Sequence, residues 1–282
     1  MQQSSLITDF YKVDHIRQYP KGVTKVYSNF TPRSSRLFNG SSEYDNKVVN
    51  FGLQRVIKDY LINEWNKTFF NKDSSVLLAH GKLISETIGE IDMKCWQDLH
   101  KLGYLPIEIK ALEEGVRSSI KVPVFTITNT LPEFAWLVNY LETSLSTELW
   151  KGYTNATTAF EFRRLFEKYA TITGADVEFI KFQGHDFSMR GLSNRHDAVN
   201  QISHLTCFYG TDTIPAIQGA IDFYKADTSK ELVGTSVFAS EHSTITMQIA
   251  NYISEREKGV LTIASVLPER SDKWSTKDWK SD

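Results

Sequence analysis

Apolar and polar residues alternate over Val26-Tyr27-Ser28-Asn29-Phe30, the two-residue period of a short strand, and Thr31-Pro32 ends it. Residues 33–45 are rich in serine, asparagine and charge, with Asn39-Gly40 as a turn signal, which predicts an exposed loop. The period then lengthens. Phe51, Leu53, Val56, Ile57, Tyr60 and Leu61 recur at three- and four-residue spacing, one apolar stripe of a helix that needs a sheet to cover it. Residues 74–102 read as amphipathic helix closed by Gly103. Ile107–Ala111 and Val122–Ile127 are strand-like around a Glu114-Gly115 turn, and Pro123 predicts that the second begins at a sheet edge. Thr130-Leu131-Pro132-Glu133 has the signals of a helix start: a threonine cap, proline in the first turn and glutamate three residues on. Phe134, Leu137, Tyr140, Leu141, Leu145 and Leu149 line one face of the helix that follows. A second helix is predicted from about Thr157 to Thr171, with Phe160, Leu165, Phe166 and Tyr169 inward and Gly174 as its cap.

After Gly174 the texture changes to short apolar strands, each followed by a polar knot and a helical stretch, the alternating β/α signature of a parallel sheet or barrel. The knots are His185–Gly191, Tyr209–Thr213 and Ser240–Thr244. Ligands gather at the carboxyl ends of parallel strands, so chemistry is sought there.

At 282 residues the chain has room for two domains, and 41% hydrophobic with 23% charged residues describes a folded globular protein. The 32 basic and 34 acidic residues leave a net charge of −2, with no global pull towards nucleic acid or anionic lipid. Cys95 and Cys207 fit neither a disulfide framework nor a structural zinc site. The longest apolar run, Phe134–Val138, is far short of the roughly 18 residues of a membrane span, and the N-terminus lacks a signal-peptide pattern. A cytoplasmic location is the expectation.

The sequence has no G-x-G-x-x-G, Walker loop, H-E-x-x-H or G-x-S-x-G, so dinucleotide redox, P-loop and zinc-protease chemistry have no support. In the first knot, an extended chain would place Asp186, Ser188 and Arg190 on one face and His185, Phe187 and Met189 on the other. An arginine beside a phenylalanine suits a flat polar ring, through guanidinium hydrogen bonds and aromatic stacking. An Asp186–Arg190 ion pair closing the strand would explain the same residues. In the second knot Asp212 and two threonines suit an amide NH2 or a ribose hydroxyl, or simply cap the helix Ile214–Phe223. In the third, Glu241 and His242 suit acid–base work or a phosphate contact, or Ser240 or Ser243 starts a helix. Each knot alone has a local explanation; three at successive strand ends point to a site.

Asp9-Phe10-Tyr11-Lys12-Val13-Asp14-His15 with Gln18-Tyr19-Pro20, then His185-Asp186-Phe187-x-x-Arg190-Gly191, Gly210-Thr211-Asp212-Thr213 and Ser240–Thr246, together resemble the nicotinamide phosphoribosyltransferase family over roughly residues 6–250. The resemblance implies joining of nicotinamide to phosphoribosyl pyrophosphate to give nicotinamide mononucleotide and pyrophosphate, in a homodimer with its active site at the subunit interface. It implies that Phe187 stacks one face of the nicotinamide ring and Tyr11 of a second subunit the other, with Arg190 nearby and Asp212 accepting from the carboxamide. Asp9 would lie beside Tyr11, Arg33 would reach a phosphate, Ser236 and Val237 would line the tunnel to the ring, and His242 matches the histidine phosphorylated when ATP hydrolysis is coupled to synthesis. Magnesium is implied on the pyrophosphate, with ATP as an optional co-substrate and no protein metal site.

The implied fold class is α/β: an α+β N-terminal domain over residues 1–174, part of a phosphoribosyltransferase-type α/β barrel over 175–260, and a divergent polar tail over 261–282. The family's Arg-Pro-Asp-Ser-Gly motif and glycine-rich phosphate loops have no match here, and the likeness fades after about Ala250. That departure leaves a non-catalytic binder of nicotinamide, a nucleotide or a partner as the alternative. Because Asp212 would repel a carboxylate, the amide is preferred over nicotinic acid.

Overall fold

The computed structural model describes residues 2–36, 38 and 43–257, in two compact units, Met1–Ser236 and Val237–Asp282. The Asn39-Gly40 turn and the 261–282 tail lie outside the described residues.

In the first unit, helix α1 (Phe10–Gln18) leads to strand β1 (Tyr27–Phe30). Strand β2 (Lys47–Val49) pairs antiparallel with the later β4 (Arg117–Ser119). The apolar stripe after Gly52 forms α2 (Leu53–Val56) and continues in wider π-type turns, Ile57–Glu64 and Asn66–Phe70. Helix α3 (Ser75–Ile88) and α4 (Lys94–Leu102) replace the single helix expected over 74–102: Gly89 at φ 98° breaks it, and Gly103 at φ 81° ends α4 as its position predicts.

Strands β3 (Ile107–Ala111) and β5 (Phe125–Asn129) pair antiparallel, and β5 also pairs with β1, giving the order β1-β5-β3. The expectation of an edge strand at Pro123 is therefore corrected. The ladder starts two residues later, so the missing proline N–H falls outside it and β5 takes the central place. Phe125, Ile127 and Asn129 face inward.

The Thr130 cap is corrected as well. The first helical turn is Pro132–Phe134 with Leu131 in the cap position, while the Thr130 N–H donates to Pro106 O at 2.8 Å. Helix α5 (Leu137–Tyr140) follows, then α6 (Glu142–Thr173), one helix of 32 residues where two were expected. Nothing between Leu149 and Thr157 breaks it, and Gly152 serves another purpose: a Cβ there would meet Phe51 O at 3.2 Å, so the glycine lets α6 approach the chain before α2. Gly174, at φ 72°, ends the helix. The stripe from Phe134 to Leu149 is buried as expected, but Tyr169 is exposed and lies 6.0 Å from the Lys168 ammonium.

The core gathers Val56, Trp65, Phe69, Trp96, Leu99, Leu137 and Leu149. His80 is sealed in it, with Nδ1 3.0 Å from Ser5 Oγ and its ring 4.5 Å from Trp96. Burial pushes its pKa down from 6.5 to about 4. The unfolded chain therefore takes up a proton that the fold refuses, so stability is full above about pH 6.5 and falls as pH drops towards 4. Urea unfolding at pH 7 and pH 5 is expected to show a loss of about 2 kcal/mol that His80→Gln abolishes; an equal loss in the variant would assign it elsewhere.

Beyond α6 come β6 (His185–Asp186), α7 (Arg195–Val199), α8 (Ile202–Leu205), β7 (Gly210–Thr211) and α9 (Ile214–Tyr224). Asn194 caps α7, its side chain accepting from His196 N and Asp197 N. The second unit contains α10 (His242–Glu257), at whose start Thr244 Oγ1 donates to Glu241 O at 2.9 Å and Ser243 Oγ to the Glu241 carboxylate. No helix among the described residues is long and apolar enough to cross a membrane.

Candidate functional site

Parallel pairing builds the site. His185 and Asp186 of β6 pair with Gly210 and Thr211 of β7, and Gly210 bridges in parallel to Thr235. Thr211 N donates to Thr235 O at 2.8 Å and Asp212 N to Asp186 O at 2.9 Å, so Asp186, Asp212 and Ser236 emerge at one end of three parallel segments. Two glycines make the close approach possible. A Cβ on Gly184 would strike the Phe208 ring at 2.5 Å, and one on Gly210 would strike Gly184 O at 2.7 Å and His185 Nδ1 at 2.8 Å.

Asp212 sits at the centre. Ser236 Oγ donates to its Oδ1, and His185 Nε2 lies 3.0 Å from the same oxygen. The Ser236 hydrogen bond first, then His185, holds its carboxyl below the usual range. Oδ2 has no hydrogen bond among the described residues, and the side chain is 48% exposed. The capping explanation for Asp212 falls away, because Thr213 holds the cap position of α9 and no side chain caps it.

Phe187 is 65% exposed, with one ring face stacked on His185 at 4.2 Å and 23°. The two rings border a cleft of about 480 Å³ that also touches Asp186, Gln201 and Phe208. The expected alternation of Asp186, Ser188 and Arg190 is corrected: extension stops at Asp186, and Met189–Gly191 is a helical turn. Asp186 is buried and accepts from Ser188 N at 2.9 Å. Burial, the largest single influence, works against its ionisation, but Ser188, Thr213 and His204 together outweigh it and hold the carboxyl below its usual range. Arg190 makes no ion pair with Asp186 among the described residues; its charge instead helps hold Asp212 ionised.

Asp9 and Tyr11 lie together at the start of α1, apart from this cluster in their own contacts. Asp9 accepts from Thr143 Oγ1 at 2.6 Å, and the Tyr11 ring, 55% exposed, meets His15 at 5.1 Å and the Lys12 ammonium at 5.4 Å. Lys12 pairs with Glu142, so two polar contacts fasten α1 to the first turn of α6. Arg33 lines a separate cleft of about 1010 Å³ with Thr31, Lys121, Trp150 and Tyr153. Ser236 joins the Asp212 cluster, whereas Val237 and His242 belong to the second unit. Among the described residues no three His, Cys, Asp or Glu side chains gather as a metal site.

His185 is a site residue that its local sequence does not single out: two-residue spacing groups it with Phe187 and Met189, whereas its contact with Asp212 spans 27 positions.

Residues 4–109 match the family described as "Nicotinamide phosphoribosyltransferase, N-terminal domain", and residues 182–277 the "Nicotinate phosphoribosyltransferase (NAPRTase) family". The second match runs past Ala250, where the motif likeness was expected to fade. A nicotinamide phosphoribosyltransferase of Acinetobacter baylyi is 51% identical over 243 residues, covering 85% of this chain and 48% of the relative. One of Mycoplasma pneumoniae is 30% identical over 255 residues, covering 85% and 52%. The chain spans about half the length of the curated relatives it matches. The crystal structure of human nicotinic acid phosphoribosyltransferase superposes with a TM-score of 0.58 at 18% identity, over 86% of this chain and 40% of that one, a likeness of fold. The fold is of the α/β phosphoribosyltransferase type, and β6, β7 and Thr235 run parallel within it.

Proposed function

We propose, from the premise that the chain belongs to the nicotinamide phosphoribosyltransferase family, that it binds nicotinamide and acts in the transfer of the phosphoribosyl group of phosphoribosyl pyrophosphate to it. The observation that carries this reading is the Asp212 carboxylate, with Oδ1 bonded by Ser236 and His185, Oδ2 open, and the bare face of Phe187 nearby. A neutral aromatic amide meets both demands: its ring stacks on Phe187 and its NH2 donates to Asp212. The carboxylate of nicotinic acid would face Asp212 as a like charge.

In the reaction, the ring nitrogen lone pair forms a bond to the anomeric carbon while the bond from that carbon to pyrophosphate breaks, the pyrophosphate leaving with the electron pair. The protein's part is positioning: Phe187 and Asp212 fix ring plane and rotation so that the nitrogen points at the anomeric carbon. Arg33 is assigned to phosphate, and Arg190 to the ring's neighbourhood. Tyr11 of a second copy is assigned to the outer face of the ring, which makes the working unit a homodimer; the exposed Tyr11 and Phe187 rings support it. Val237 is assigned to the tunnel wall. Magnesium, when bound with the pyrophosphate, would supply neutralisation of the charge on the leaving group. The described residues offer no carboxylate cage, so none is assigned to it. His242 is assigned as the phosphate acceptor when ATP is used.

The test is incubation of the purified chain with nicotinamide, phosphoribosyl pyrophosphate and magnesium, with and without ATP, followed by mass detection of nicotinamide mononucleotide. Product is the expected result. Nicotinamide binding without product would favour the non-catalytic binder, and neither binding nor product would end this reading.

A further inference from the structure

We propose that His185 is a positioning residue that fixes Asp212 as a single-oxygen acceptor, an assignment that rests on the nicotinamide reading for its purpose but not for its geometry. The imidazole touches both halves of the recognition device. Its Nε2 lies 3.0 Å from Asp212 Oδ1, and its ring lies 4.2 Å from the Phe187 ring at 23°. Because Asp212 is held ionised, the proton between them belongs on Nε2, which donates. Ser236 donates to the same oxygen from the third parallel segment. Two donors on Oδ1 pin the carboxylate plane and leave Oδ2 as the one acceptor presented to a ligand. A free carboxylate would rotate about its terminal bond and offer either oxygen.

The imidazole is itself held by the strands. The backbone of Gly210 lies so close to Nδ1 that a Cβ there would stand at 2.8 Å, so the ring rests on β7 while its own backbone belongs to β6. Relative to a surface histidine, little is left to side-chain freedom, and the Asp212–Phe187 geometry is set by two paired strands. Four further groups bear on this pair. Arg190, on the turn after β6, and Ser236 favour the charge on Asp212, while His204 on α8 lies near both His185 and the buried carboxylate of Asp186.

Two variants separate the two contacts. His185→Phe keeps a flat ring against Phe187 and removes the donor; His185→Gln keeps an N–H within reach of Oδ1 and removes the stack. The first readout needs no ligand: titration of the Asp212 side-chain carboxyl carbon by NMR in the full chain. In the wild type it should titrate below the ordinary aspartate range. In His185→Phe the midpoint should move up, and in His185→Gln return towards the wild-type value. The second readout is nicotinamide affinity by calorimetry, expected to weaken about 10-fold in His185→Phe, with its acid limb moved to higher pH. His185→Gln should recover part of that loss. Coinciding Asp212 titrations in wild type and His185→Phe would overturn the proposal, as would unchanged affinity in a protein that binds nicotinamide. A wild-type chain that binds no nicotinamide, yet whose Asp212 midpoint shifts in His185→Phe, would sustain the positioning contact and overturn the nicotinamide reading instead.

Discussion

Asp212→Ala is expected to weaken nicotinamide binding by about 10- to 100-fold, the range of a lost hydrogen bond to a charged group. The substitution removes the open Oδ2 and leaves the Ser236 hydroxyl and the His185 Nε2 without their common acceptor. It should leave thermal unfolding near the wild-type value, because the side chain is half exposed and does not cap α9. Affinity should fall in Asp212→Asn as well. The neutral amide side chain removes the like charge that opposes nicotinic acid, so the preference for nicotinamide over nicotinic acid should narrow. Calorimetric titration of both ligands into the three proteins checks this. Equal nicotinamide affinity in wild type and Asp212→Ala would remove Asp212 from the site.

Trp96→Ala should cost about 3–5 kcal/mol of folding stability, the usual penalty for emptying a buried aromatic site. Trp96 is 1% exposed and sits among rings: Trp136 at 4.8 Å, Tyr140 at 4.9 Å, Phe69 at 6.0 Å and His80 at 4.5 Å. None of its neighbours is free to collapse into the space, since each is buried against others. The same change should open His80 to water and shrink the pH dependence of stability that its burial creates. Trp150→Ala, at a tryptophan 51% exposed, is the control and should cost far less. Denaturant midpoints compare the two; similar losses would contradict the placement of the core.

Periodicity made much of this architecture legible. The Phe134–Leu149 stripe is buried as its spacing predicts, Ile107–Ala111 is a strand to the residue, and Gly103 and Gly174 end the helices they follow. What failed depended on partners distant in sequence. Pro123 carries an edge signal in isolation, but β1 and β3, both earlier in the chain, enclose β5. The gap read between two helices is continuous because the glycine within it serves a tertiary approach to Phe51. The site shows the same division. Asp212 and Phe187 stood out as residue types at strand ends, whereas the role of His185 depends on Asp212, 27 positions away, and on the absent side chain of Gly210. Local alternation cannot report a contact between neighbouring strands.

The most direct test of the account is calorimetric titration of the unmodified chain with nicotinamide and, separately, with nicotinic acid. Saturable heat with nicotinamide and at least tenfold weaker binding of nicotinic acid is the expected result, since one open carboxylate oxygen beside an aromatic face accepts an amide and repels an acid. Equal binding of the two, or preference for the acid, would contradict it.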